Sequence, residues 1–203
     1  MGQGITMQWD KQQIQVSAYG DGIIRICELN NGKQPYSAAV ELTVEQQQKV
    51  AVAQYQVSEQ GASTVFETAL LRAEVEPDGT ITFYNKKNNE KLTCVSETQE
   101  IKKTTLTEEE KAFIGMEGHE SGDEVQAKVN LSLSLDEADC IYGLGDKTGV
   151  LNKREYEYEM WNSDIPAPHE DNFKSLYKSV PFMIVLKENA VYGVFFDNHG
   201  KSA

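Results

Sequence analysis

Apolar and polar residues alternate with a period of two through most of this chain, and clusters of turn residues interrupt the alternation every few positions. Such a pattern builds strands with one dry face and one wet face, and leaves little room for helices. Ile14, Val16 and Ala18 stand between Gln13, Gln15 and Ser17, and Gly20-Asp21-Gly22 then turns the chain into Ile24 and Ile26 around Arg25. The same period recurs in Val40-Leu42-Val44, in Val50-Val52 and in Tyr55-Val57; the intervening Glu45-Gln46-Gln47-Gln48 is too short a run to be low complexity. Leu71, Ala73 and Val75 lead into Pro77-Asp78-Gly79, then Ile81 and Phe83. Proline presets the turn and glycine accepts positive φ, so a hairpin is predicted there. A polar turn at Asn85-Lys86-Lys87-Asn88-Asn89 precedes Leu92, Cys94 and Val95. Val129, Leu131, Leu133 and Leu135 predict another strand, and Val180 to Leu186, Lys187-Glu188-Asn189-Ala190 and Val191 to Phe196 predict a second hairpin. Between Lys102 and Ser121 the pattern breaks. Thr107-Glu108-Glu109-Glu110 reads as a capping box opening one or two helical turns through Phe113, and Gly115, Gly118 and Gly122 predict a mobile excursion with a solvated His119. The fold class expected is all-β, a two-sheet sandwich with little helix.

Composition narrows the function classes. A chain of 203 residues, 39% hydrophobic and 25% charged, suits one soluble domain, and no apolar run is long enough to span a membrane. A formal net charge of -13 repels phosphate backbones and anionic lipid, so neither nucleic acid nor a membrane surface is expected as a partner, whereas a neutral sugar would hardly feel the field. Cys27, Cys94 and Cys140 are too few and too widely spaced for a disulfide framework or a metal knuckle, and each sits in or beside an apolar run as a small buried hydrophobe. With no basic and apolar leader at Met1-Gly2-Gln3-Gly4-Ile5-Thr6, a reducing cytoplasm is the expected location. Asn130-Leu131-Ser132 matches a glycosylation acceptor that has no use there.

The residues that carry chemistry cluster toward the C-terminal part. Gly143-Leu144-Gly145 followed by Gly149 lacks the spacing and the βαβ surroundings of a dinucleotide loop; these glycines fit a bulge or a close backbone approach instead. Asp146 is either a ligand-facing carboxylate or a turn residue bonded to its own backbone. In Trp161-Asn162-Ser163-Asp164-Ile165-Pro166-Ala167-Pro168-His169 two prolines impose a loop that carries an aromatic, an amide and a carboxylate close together. Sugars are bound by that combination, since a carboxylate accepts charge-assisted hydrogen bonds from adjacent hydroxyls and an aromatic face covers ring C–H surface. From the residues alone a second reading stands beside it, with Trp161 in the core, Asn162 capping a turn and Asp164 solvated. His169 has no second ligand at metal spacing, His199 reads as turn chemistry, and Ser179 lacks a nucleophile elbow. No cofactor or metal is expected.

The order and spacing of Tyr142-Gly143-Leu144-Gly145-Asp146-Lys147, Leu151-Asn152-Lys153-Arg154, Tyr158-Glu159-Met160-Trp161-Asn162-Ser163-Asp164, Leu176-Tyr177-Lys178-Ser179-Val180-Pro181-Phe182 and Tyr192-Gly193-Val194-Phe195-Phe196-Asp197-Asn198 resemble the end of the N-terminal domain of glycoside hydrolase family 31, the α-glucosidase and α-xylosidase family. The resemblance is specific from Tyr142 to Gly200 and diffuse before it. Two departures stand out: Asp146 replaces the family's usual Glu, and Glu155 its usual Gly. The resemblance implies a galactose-mutarotase-like super-sandwich over residues 1–203. It also implies a loop reaching the mouth of a catalytic (β/α)₈ barrel, with Asp164 contacting the sugar and Asn162 and Trp161 orienting the loop or lining the pocket.

Retaining glycosidases of this family need two carboxyl groups about 5 to 5.5 Å apart, the nucleophile lying in a Trp-x-Asp-Met-Asn-Glu type motif of the barrel. That motif is absent here, and Lys201-Ser202-Ala203 falls about where the barrel would be approaching. The expectation is therefore a non-catalytic N-terminal part of an α-glucosidase-like enzyme. Its partners are an α-linked glucoside-type saccharide and its own C-terminal barrel. The alternative is a free-standing carbohydrate- or protein-binding sandwich.

Overall fold

A computed structural model describes residues 3–9, 12–29, 32, 43–104, 124–164, 166, 168, 170, 173–198 and 202. Among them, strands paired antiparallel with their sequence neighbours make three sheets. The first holds β1 (Gln3–Trp9), β2 (Gln12–Gly20) and β3 (Ile23–Glu28). The second runs in chain order through β4 (Gln56–Gln60), β5 (Ser63–Glu67), β6 (Leu71–Val75), β7 (Ile81–Asn85), β8 (Glu90–Thr104) and β9 (Glu124–Leu133). The third holds β10 (Cys140–Gly145), β11 (Ser179–Leu186) and β12 (Val191–Phe195). The Pro77-Asp78-Gly79 hairpin forms as expected, with Val75 opposite Ile81 and Gly79 at φ 85°. The turn at Lys187 to Ala190 likewise joins Leu186 to Val191.

Two elements differ from the alternation. Residues Val44–Ala51 form a helix, α1, so the strand reading of Val44 and Val50-Val52 is corrected; Val40 and Leu42 lie outside the described residues. The cause is local. Thr43 Oγ1 accepts from Gln46 N at 3.3 Å and Gln46 Oε1 accepts from Thr43 N at 2.8 Å, a reciprocal cap that the straight-chain run Glu45 to Lys49 extends. β1 is not among the strands expected from sequence, although Ile5, Met7 and Trp9 alternate with Thr6 and Gln8. The capping box at Thr107, the glycines 115, 118 and 122 and His119 all lie outside the described residues.

The core lies between the first two sheets. Ile14, Val16 and Ala18 of β2 pack against Phe66, Ala73, Val75 and Ile81, with Ala53 just beyond the C-cap of α1, and Tyr55 stacks on Phe66 at 5.0 Å between ring centroids. Within β2 and within β6 these residues recur at every second position, as the alternation assigns them to one dry face. The cysteines are free thiols of intermediate burial, less enclosed than expected, and burial still pushes the Cys27 thiol up.

The third sheet is braced by a buried ion pair. Lys187, its side chain 5% exposed, donates to Asp139 Oδ2 at 2.8 Å and to Asp136 Oδ2 at 2.6 Å, joining the β11–β12 turn to the β9–β10 turn. Burial alone would lower the Lys187 pKa, but its hydrogen bonds to Asp136 and Asp139 outweigh that and raise it; the Lys187 hydrogen bond holds the Asp136 carboxyl low. A raised lysine pKa adds stability that is complete below about pH 10.4 and is lost as pH rises through the folded value. A lowered Asp136 pKa adds stability that is complete above about pH 4 and is lost as pH falls through the folded value.

A tight bulge shapes the same sheet. Gly143, Leu144 and Gly145 all have positive φ, at 106°, 68° and 83°, and the β10–β11 register shifts between the two glycines. A Cβ on Gly145 would press into Lys178 O and stand 2.9 Å from Val180 N, both backbone atoms that cannot step aside. Two outcomes follow for denaturant unfolding at neutral pH. Lys187→Met leaves Asp139 buried without its cation and should cost about 3–5 kcal/mol, whereas Lys174→Met, from the exposed pair with Glu157, should cost no more than about 1 kcal/mol. Gly145→Ala should cost at least about 2 kcal/mol, and equal stability to the parent chain would show that the bulge can relax.

Candidate functional site

Residues 146–178 connect β10 to β11, and the described ones are held by polar side chains gripping backbone together with backbone–backbone bonds. Asn152 Oδ1 accepts from Ile141 N at 2.9 Å and Lys153 N donates to Ile141 O at 2.7 Å, so the segment returns to flank β10. Arg154 Nη1 reaches back to Asp136 O and, at 2.9 Å, to Asp139 O. Glu155 adopts φ 70°, the left-handed conformation that the family's usual glycine would take without strain. The buried Lys153 donates to Thr148 O at 2.9 Å and Lys147 O at 3.3 Å, and Tyr158 OH donates to Thr148 O at 2.8 Å. Tyr156 stacks on Tyr158, whose ring has both Lys147 and Lys153 ammonium groups within 6 Å.

From Glu159 onward the chain meets a second set of anchors. Glu159 N donates to Lys174 O at 2.8 Å, Met160 N to Ser202 O at 2.7 Å, and Ser163 N to Leu176 O at 3.0 Å. Asn162 Oδ1 accepts from Ser179 N at 2.8 Å, tying the loop to the first residue of β11. The carbonyl of Trp161 accepts from the hydroxyls of both Ser175 and Ser179, and Ser175 Oγ also lies 3.1 Å from Ser163 Oγ. Lys147 closes the set, donating to Glu159 O at 2.7 Å and Ser179 Oγ at 3.1 Å. Its burial lowers its pKa, while Asp146 and Glu159 act in the opposite sense.

Among the described residues this set of anchors runs as far as Ser163, and Asp164 is the next residue. Its carboxylate is exposed and has no hydrogen-bond or ion-pair partner among the described residues. Trp161 is 53% exposed, which rules out the reading that buries it in the core, and Asn162 does cap a backbone amide. The three residues singled out by sequence thus share one loop in two roles: Asn162 fixes it, while Trp161 and Asp164 present side chains to solvent. Asp146 is exposed as well, at the rim of the bulge. His169 and His199 lie outside the described residues, and among the described residues no group of three His, Cys, Asp or Glu side chains could hold a metal. Ser175 escapes sequence reasoning because a serine that clamps a carbonyl carries no motif; Lys147 and Ser179 sit inside motifs that give no sign of where the ammonium and the hydroxyl go.

The third sheet shows a further property. On β11 the inner-facing Pro181, Met183 and Val185 are apolar, and so are the outer-facing Val180, Phe182, Ile184 and Leu186. With Val191 and Phe195 of β12, these outer residues are 39–63% exposed. A strand whose two faces are both apolar is the kind that is covered on both sides.

The comparisons follow this geometry. The family model described as "Glycosyl hydrolase 31 N-terminal galactose mutarotase-like domain" matches residues 13–203. "Alpha-glucosidase 2" of Bacillus thermoamyloliquefaciens is 42% identical over 77 residues, 38% of this chain and 10% of that protein. An alpha-glucosidase of Saccharolobus solfataricus is 35% identical over 74 residues, 36% of this chain and 10% of that protein. Among solved structures, the GH31 alpha-xylosidase of Xanthomonas citri superposes with TM-score 0.65 at 17% identity, over 98% of this chain and 18% of its own. The GH31 dextranase of Flavobacterium johnsoniae complexed with isomaltotriose does so with TM-score 0.64 at 19% identity, over 99% of this chain and 23% of its own. The match therefore spans a tenth of the curated relatives and about a fifth of these solved chains. An all-β fold of antiparallel sheets and a family match over residues 13–203 agree: this chain belongs to the N-terminal galactose mutarotase-like domain family of the glycosyl hydrolase 31 enzymes.

Proposed function

We propose that this chain is the N-terminal, non-catalytic domain of a retaining α-glucosidase-type enzyme of carbohydrate metabolism, and that it lends the active site a sugar-binding loop with Asp164 at its end. The observation that carries the reading is the anchoring pattern. Side-chain and backbone bonds hold the loop from Glu159 to Ser163, and among the described residues the Asp164 carboxylate that follows has no partner and stands beside an exposed Trp161. A fixed backbone that presents a bare carboxylate has already met the ordering cost of binding a polar ligand. The carboxylate would accept hydrogen bonds from adjacent sugar hydroxyls, and Trp161 would cover ring C–H surface or shape the rim. Both curated relatives are named alpha-glucosidases, and the dextranase holds isomaltotriose, so an α-linked glucoside is the ligand class we favour. No step of bond cleavage is assigned to any residue of this chain.

The docking partner in this reading is the catalytic barrel of the same polypeptide. The outer face of β11 and β12 is apolar along its length, and the region matched here is only 18% and 23% of the two solved relatives' chains. A free-standing sandwich would leave that face in water, where large apolar patches drive association. The free thiols at Cys27, Cys94 and Cys140 suit a reducing cytoplasm, which we propose as the location.

The test uses two preparations. The 203-residue chain alone should leave an aryl α-glucoside intact. In the full-length protein, Asp164→Ala should lower kcat/KM by roughly 10- to 100-fold, the loss of one or two charge-assisted hydrogen bonds, with thermal stability unchanged. Turnover by the isolated chain, or wild-type kcat/KM in Asp164→Ala, would overturn the assignment.

A further inference from the structure

We infer that Lys147 is a positioning residue for the Asp164 loop and that it acts through the hydroxyl of Ser179 on the carbonyl of Trp161. The inference rests on the reading of Asp164 as a sugar contact and adds the device that holds it in place. Its basis is the direction of the hydrogen bonds. An ammonium group only donates, so the Ser179 oxygen, 3.1 Å from Lys147 Nζ, must accept from it. A serine hydroxyl normally rotates among several acceptors; here its one proton is left to point at Trp161 O, 3.0 Å away. The same ammonium donates to Glu159 O at 2.7 Å, so one charge grips the loop on both sides of Met160 and Trp161. The Ser179 amide meanwhile donates to Asn162 Oδ1, and the whole of Ser179 thereby faces the loop.

The groups around the ammonium explain why the relay is rigid. Tyr158 lies beneath it at 5.8 Å, Asp146 and Glu159 supply negative charge nearby, and its hydrogen bonds go to a carbonyl and a hydroxyl. Charge-assisted bonds of this kind are about twice as strong as neutral ones. Ser179 can occupy its place only because Asp146 N donates to Lys178 O at 2.8 Å and Gly145 has no side chain to obstruct that approach. Lys147 does not touch the sugar in this scheme, and Asp164 has no contact with Lys147. What the lysine sets is the position and stiffness of the backbone one turn of loop before the carboxylate.

The experiment is a kinetic series on the full-length protein with an aryl α-glucoside: Lys147→Met, Lys147→Arg, Ser179→Ala, the double variant Lys147→Met with Ser179→Ala, and Asp164→Ala. Lys147→Met and Ser179→Ala should each raise KM about tenfold, with kcat changed less than about twofold, because a mispositioned carboxylate weakens binding. The double variant should be no worse than the worse single one, as expected of two members of one relay. Lys147→Arg, which keeps the charge and the donors, should recover part of the loss. Hydrogen exchange over residues 159–164 should quicken in both single variants. Ser179→Ala removes one atom and keeps the test valid if Lys147→Met fails to fold. A wild-type KM in Ser179→Ala, or strictly additive losses in the double variant, while Asp164→Ala does raise KM, overturns the relay and leaves the sugar contact standing. If Asp164→Ala leaves KM unchanged, the sugar contact itself falls, and unchanged exchange over 159–164 would then overturn the relay as well.

Discussion

Three consecutive residues with positive φ, Gly143, Leu144 and Gly145, set the geometry on which the rest of the site depends. An L-residue in that region costs about 1 kcal/mol or more, so a run of three persists only where the surroundings enforce it and where glycine lowers the cost. The return is a register shift that lets the Lys178 carbonyl meet the Asp146 amide at 2.8 Å. Ser179 then starts β11 directly beside Lys147, and its amide and hydroxyl are both spent on the loop that ends in Asp164. A backbone constraint at one strand end thus becomes a position for a carboxylate some twenty residues later.

The body of the domain does a simpler job. The first and second sheets bury Val16, Phe66 and Val65 completely and supply the stability that a loop built on positive-φ turns and a buried Lys153 consumes. The third sheet has a different character: Lys187, Asp139 and Asp136 fix its hairpin turn from one side, Val185 seals its inner face, and its outer face stays apolar and open. An ion pair with side chains 5% and 3% exposed adds little net stability against its desolvation, but it admits only one arrangement of the two turns it joins. That is what a sheet needs if it presents a loop at one end and a docking face along its length.

Much of this was legible in the residues. The dry faces of β2, β6 and β7 follow from Ile14-Val16-Ala18, Ala73-Val75 and Ile81, and the β6–β7 hairpin from Pro77-Asp78-Gly79, because period and turn chemistry are local properties. The helix α1 was not, since Val44 and Val50 mimic a strand period while the cap formed by Thr43 and Gln46 decides the matter. Asp164, Asn162 and Trp161 could be singled out from an aromatic, an amide and a carboxylate held in a proline-stiffened loop. The partners that hold the loop, Lys147, Ser175 and Ser179, could not, because each acts through a contact 12 to 32 positions away that no periodicity encodes. Glu155 illustrates the remaining gap. Its φ of 70° is the left-handed conformation that glycine adopts most readily, and a glutamate gives no sign of it in the sequence.

A crystal structure of the full-length protein with an α-linked glucoside in the active site tests the central claim most directly. The account predicts the Asp164 carboxylate within hydrogen-bond distance of sugar hydroxyls, the loop from Glu159 to Ser163 anchored as here, and the outer face of β11 covered by the barrel. An Asp164 carboxylate in bulk water, with the sugar held entirely by other groups, would contradict it.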